Sequence, residues 1–188
     1  PPPPSWLRGK WHVTHSTLPM WKSKRNVTIT YTPLPSSSDQ KSPHPHEPTL
    51  PLIDDLVEYQ SLSNAKIKSV HGVDTPVEQA NGWAWAWRGK GWLKIASSQW
   101  EALGYGDEPG TATPGTGGEG EDEGRQWVVT YFAKTLFTPA GIDLYARHPG
   151  GLKSETVENI KEELGKMEDA GLRELAGTLF EVKMDGAR

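Results

Sequence analysis

The chain has 188 residues and a formal net charge of -4, from 20 Lys and Arg against 24 Asp and Glu. Asp107, Glu108, Glu119, Glu121, Asp122 and Glu123 fall in residues 107–124, which hold no Lys or Arg, so the remainder is nearly neutral. This leaves no concentrated basic face for nucleic acid, and the length suits one domain with a real core. Cysteine is absent, which excludes disulfides, thiolate metal sites and a Cys nucleophile.

No run approaches the 18 or so apolar residues of a membrane helix. No charged, apolar and small-residue signal opens the chain, so a cytoplasmic location is expected. A secreted mature form would look the same after processing.

In chain order, residues 1–8 read as a flexible lead-in that begins Pro1–Pro4. A single barrel domain is expected over 9–183, and 184–188 form a polar tail. Strands are expected at 9–16, 26–32, 55–62, 65–71, 82–88, 99–105, 126–133 and 142–147, from alternation and β-branched or aromatic content. Ser63-Asn64 makes a hairpin connection, and 92–96 is an extra extended piece. Residues 33–51 hold six Pro among Ser and His, and Pro cannot donate to a ladder, so they form a surface loop. Residues 106–125 are a Gly-rich, acidic insert with the composition of a solvated tether. One helix is expected at 154–168, with Ser154 as N-cap and Val157, Ile160, Leu164 and Met167 on one stripe facing the sheet. Eight short strands and one late helix predict an all-β, eight-stranded antiparallel up-and-down β-barrel with a helix packed outside.

Gly9-Lys10-Trp11 opens the first strand, and Arg147 ends the eighth, just before the helix. In this arrangement the chain resembles the lipocalins and their wider calycin superfamily. The resemblance spans about residues 6–165 in order and spacing. It implies that Gly9, Trp11 and Arg147 are structural, with the guanidinium lying over the indole at the closed end. A Thr-Asp-Tyr-like turn between the sixth and seventh strands is missing, and the Gly-rich acidic insert stands in its place, so the likeness is to a divergent lipocalin-like protein. It implies binding of a small hydrophobic molecule (a lipid, isoprenoid or polyketide) inside the barrel. The same superfamily also contains cofactor-free isomerases and cyclases and haem-binding barrels. No cofactor is expected under the first two readings, and haem, held by His15, is the third.

If Trp11 faces Arg147 across two antiparallel strands, Val13 meets Tyr145 and His15 meets Asp143, inside the lumen. That pair would orient a polar ligand group, or serve as acid and base under the enzymatic alternative. Trp83, Trp85 and Trp87 share one face of their strand, either lining the lumen or packing outward under the helix or against a second copy in a homodimer. The loop after the first strand carries Met20 and Trp21 at the barrel mouth, next to Lys22, Lys24 and Arg25. Tyr31, Tyr59, Trp100 and Tyr131 complete the candidate lining. His44-Pro45-His46 lacks a third rigid ligand, so no metal site is expected. Asn26-Val27-Thr28 matches a glycosylation acceptor, which has no meaning without secretion.

Overall fold

The computed structural model describes residues 4–35, 51–77, 83–108 and 125–186. Most of the Pro-rich loop, with His44 and His46, and most of the Gly-rich acidic insert lie outside the described residues.

Among the described residues nine strands form: β1 (Gly9–Ser16), β2 (Lys24–Pro33), β3 (Ile53–Ser61), β4 (Asn64–Pro76), β5 (Ala84–Gly89), β6 (Ser97–Asp107), β7 (Gln126–Phe132), β8 (Gly141–Ala146) and β9 (Phe180–Glu181). Two helices follow β8, α1 (Ser154–Gly165) and α2 (Ala170–Ala176). Successive strands from β1 to β8 pair antiparallel, and β1 pairs with both β2 and β8, so the eight close into an up-and-down barrel. All eight expected strands are present within a few residues of their expected bounds. The extended piece expected at 92–96 is different: Gly91–Leu93 forms a 3-10 turn.

Alternation along each strand divides the side chains between lumen and exterior. Trp11, Val13, Val27, Ile29, Tyr31, Ile53, Trp85, Trp100, Val128 and Tyr145 pack together inside. Val129, Ile142 and Leu144 face out and are covered by Val157, Ile160 and Leu164 of α1. Val157, Ile160 and Leu164 of the stripe read from the sequence are thus the buried face of the helix. The helix ends at Gly165 and not at 168, so Met167 lies beyond it and is only partly buried against the same cluster. Ser154 is not its cap: Lys153 holds that position without a side-chain bond, and its N–H donates to Glu108 Oε1 at 2.6 Å.

The closed end is built around Arg147. Its guanidinium lies 3.8 Å from the Trp11 ring centroid and donates to the carbonyls of Trp6 (2.6 Å) and Lys10 (3.1 Å). Gly9 has φ of +99°, and a Cβ there would sit 3.1 Å from the Arg147 Nη1. The backbone therefore calls for glycine, and a side chain there would also press on the guanidinium. Instead of a loose lead-in, Pro4–Leu7 is a 3-10 turn whose Leu7 is fully buried and whose Leu7 carbonyl accepts from Trp11 Nε1 at 2.8 Å. Trp6 packs on Trp11, Trp83 and Tyr105, completing the plug.

The residues after α1 were not anticipated. Asp169 caps α2 by accepting from the Leu172 N–H, and β9 then pairs with His15 and Ser16 of β1. The tail is not free: Asp185 binds Arg25 and Asn26 side chains, and Asn26, at φ of 51°, donates its N–H to the Lys183 carbonyl. This strap fills the gap where β2 departs from β1 above His12. Asn26 is thereby committed to structure.

Replacing Arg147 with Ala removes the stacking and two charge-assisted bonds, together about 3 kcal/mol. Thermal unfolding followed by circular dichroism should show a Tm lower by roughly 6–12 °C. An unchanged Tm would exclude this role for the closed end.

Candidate ligand-binding site

The lumen has a sealed lower end and a different upper end. On the β1, β2 and β8 side the mouth is roofed by the loop after β1, where Leu18 and Trp21 are buried and Met20 is exposed. On the opposite side Val57, Tyr59, Val70, Trp87 and Phe132 point inward by register and are only half-buried, so solvent reaches the upper rim there.

The loop is held by Asp143. Ser16 Oγ donates to its Oδ1 at 2.5 Å, Trp21 Nε1 donates to its Oδ2 at 3.2 Å, and Leu18 N–H donates to Ser16 Oγ. The expected His15–Asp143 pair does not form. A β-bulge between Val13 and His15 shifts the register, so Val13 still meets Tyr145, but His15 meets Leu144 and Ser16 meets Asp143. One extra residue in a strand reverses the side on which every later side chain emerges. His15 therefore faces the outer wall, where burial lowers its pKa and Glu181 partly opposes that shift. It can neither act on a molecule in the lumen nor ligate haem there.

Among the other candidates, Tyr31, Trp85, Trp100 and Tyr145 are fully or almost fully buried in the lumen. Trp83 belongs to the lower plug, stacked on Tyr105 at 5.6 Å, and Tyr59 lies at the mouth edge-on to Trp21. Trp87 is at the upper rim over Gly72, where a Cβ would come within 2.1 Å of its indole nitrogen. Trp83, just before β5, and Trp85 and Trp87 within it are thus inward, and the strip offers no outer patch for a second copy. Tyr131 faces outward into the layer beneath the helices.

The polar centre of the lumen was missed. Asp55 on β3 and Asp74 on β4 are both buried, and Trp100 Nε1 donates to Asp74 Oδ1 at 2.8 Å. Asp55 Oδ1, Asp74 Oδ2 and the Tyr145 hydroxyl have no hydrogen-bond partner among the described residues. The Tyr145 hydroxyl lies near Tyr31 and Thr130 without completing a bond to either. Asp55 is the direct cross-strand partner of Tyr31, and Tyr31 stacks on Trp100, which stacks on Trp85 at 4.4 Å. Asp55 could have been found from the sequence: it shares an alternating face with Ile53, Val57 and Tyr59, an ionisable residue in an apolar register.

Burial lifts Asp74 to about 7, against the opposing bond from Trp100, and lifts Asp143 to about 7 against Ser16 and Trp21. Asp55 is raised well above the usual carboxylate range, first by burial and then by the charge of Asp74. Tyr31 and Tyr145 are raised by burial too. Among the described residues no group of His, Asp and Glu is placed to hold a metal ion, and no helix is long and apolar enough to cross a membrane.

No family model and no curated sequence matches the chain. Solved structures do. The siderocalin Ex-FABP, described as functioning through dual ligand specificities, superposes with a TM-score of 0.58 at 10% identity, covering 97% of each chain. Apocrustacyanin C1 gives 0.58 at 7% identity over 97% of this chain and 80% of its own. The amine-binding protein of Rhodnius prolixus, in its tryptamine complex, gives 0.51 at 12% identity over 93% and 77%. The chain has a lipocalin fold. Within that fold, the Gly9, Trp11 and Arg147 arrangement occupies the closed end, as the resemblance implied.

A carboxyl raised on folding adds stability only while protonated. Stability from Asp74 should therefore be full below about pH 4 and be lost as pH rises through about 7. Asp74→Asn keeps an acceptor for Trp100 and cannot ionise. Chemical denaturation should find it more stable than wild type at pH 8 by up to about 4 kcal/mol, and no more stable near pH 4. A wild-type advantage at pH 8 would contradict this reading of the buried pair.

Proposed function

We propose that the protein binds a small, largely apolar organic molecule inside the barrel, entering at the upper rim. The observation that carries this reading is the set of three buried, unpartnered polar atoms within one aromatic-lined lumen. More than nine in ten buried polar groups in folded proteins find a partner, so three together in one place point to a partner that comes from outside the chain. The aromatic and aliphatic walls supply affinity by removing apolar surface from water, about 25 cal/mol per Å². The polar atoms fix orientation, since a ligand that leaves them unsatisfied forfeits their desolvation. Two fold neighbours, one described as having dual ligand specificities and one in complex with tryptamine, support the same general reading.

The test is a fluorescence titration with the neutral apolar probe N-phenyl-1-naphthylamine. Wild type should show saturable one-to-one binding with blue-shifted emission. Val70→Trp places a large ring in the upper lumen and should weaken binding at least tenfold, with its fold checked by circular dichroism. Unsaturable binding by wild type, or the same affinity in the folded variant, would overturn the proposal.

A further inference from the structure

The chemistry of the unpartnered atoms narrows the ligand. Asp55 pairs with Gly72 across the β3–β4 ladder, and Asp74 lies two residues along, so the two inward carboxyls are diagonal neighbours with backbones roughly 7–8 Å apart. That spacing lets one small donor group sit between them. Ionised Asp55 Oδ1 and Asp74 Oδ2 are acceptors, the Tyr145 hydroxyl can accept as well as donate, and an ammonium group presents three N–H donors and no acceptor.

Charge points the same way. Among the described residues, no Lys or Arg forms an ion pair with Asp55 or Asp74. Arg147 is engaged at the sealed end, and Lys90 bonds Asp54 on the outer face. Two buried carboxyls that are diagonal neighbours, once ionised, favour a cation and repel an anion. The surroundings then select the rest of the molecule. Tyr31, Trp100 and Trp85 form a continuous stack beside the acids, with successive centroids 5.6 and 4.4 Å apart and planes within 19°. Such a slab favours a flat ring system, and its π-faces attract a cation.

We propose that Asp55 and Asp74, with the Tyr145 hydroxyl, bind the ammonium group of a small aromatic amine whose ring packs against the Tyr31–Trp100–Trp85 stack. This rests on the proposal that the lumen takes a small apolar molecule, and it adds the identity of the polar end.

Calorimetric titration of the full chain at pH 8 with three probes of matched shape separates the alternatives: 2-phenylethylamine, 2-phenylethanol and 3-phenylpropionate. The amine should bind at least tenfold more tightly than the alcohol, and the carboxylate should bind most weakly. Asp55→Asn and Asp74→Asn should each weaken the amine at least tenfold. Each should also cut the ratio of amine to alcohol affinity at least tenfold, with its fold checked by circular dichroism. If the neutral naphthyl probe binds wild type but the amine has no advantage, or if both Asn variants retain full amine affinity, the amine assignment fails and the general binding proposal stands. If neither the naphthyl probe nor any phenyl probe binds, both proposals fail.

Discussion

Barrel closure places two demands on β1, and the rest of the structure follows from how they are met. Over its first half β1 must pair with β2, and over its second half with β8. The bulge before His15 and the left-handed Asn26 let it do both, at the cost of a gap between β1 and β2 near the top. The C-terminal strap fills that gap. Val182 N–H donates to the Thr14 carbonyl and Lys183 accepts from Asn26, so the ladder continues through a segment more than 150 residues away in sequence. An open edge there would expose unpaired backbone groups, which strand edges tolerate poorly.

The two ends of the barrel are built by opposite means. The lower end is sealed by apolar and cation–π contacts, with Trp6, Trp11 and Leu7 beneath Arg147, and leaves little for a ligand to recognise. The roof and the centre of the lumen are organised by carboxyls. Asp143 spends both oxygens on fastening the roof loop, whereas Asp55 and Asp74 each retain an oxygen without a partner. The same residue type under the same burial thus has two roles, separated by whether nearby donors satisfy it. Burying ionisable groups opposes folding, so their presence at the centre of the lumen is a constraint that the aromatic packing around them must offset. That is why the polar centre, and not the number of tryptophans, is the informative part of the interior.

Much of the fold could be read from local pattern. Alternation identified the eight strands because each barrel strand has one wet or helix-covered face and one core face. Helical spacing identified α1 because Val157, Ile160 and Leu164 pack on Ile142 and Leu144. Gly9, Trp11 and Arg147 were legible together because a positive-φ glycine, a flat indole and a guanidinium make one unit whose chemistry needs those residue types. The inward direction of Trp83, Trp85 and Trp87 was not legible, since alternation puts three indoles on one face without saying which face is inside.

The amino-acid sequence alone determined the class of fold, the order of its strands and the chemistry of its closed end, because those depend on short-range periodicity and a few side chains of distinctive shape. Tertiary structure alone decided the site. The bulge at Thr14 separates His15 from Asp143 and gives Asp143 to the roof loop, and strand pairing brings Asp55, Asp74 and Tyr145 from three strands into one buried cluster. A bulge depends on what two neighbouring strands require of a third, and burial depends on the closed barrel, so neither is written in any local stretch of chain.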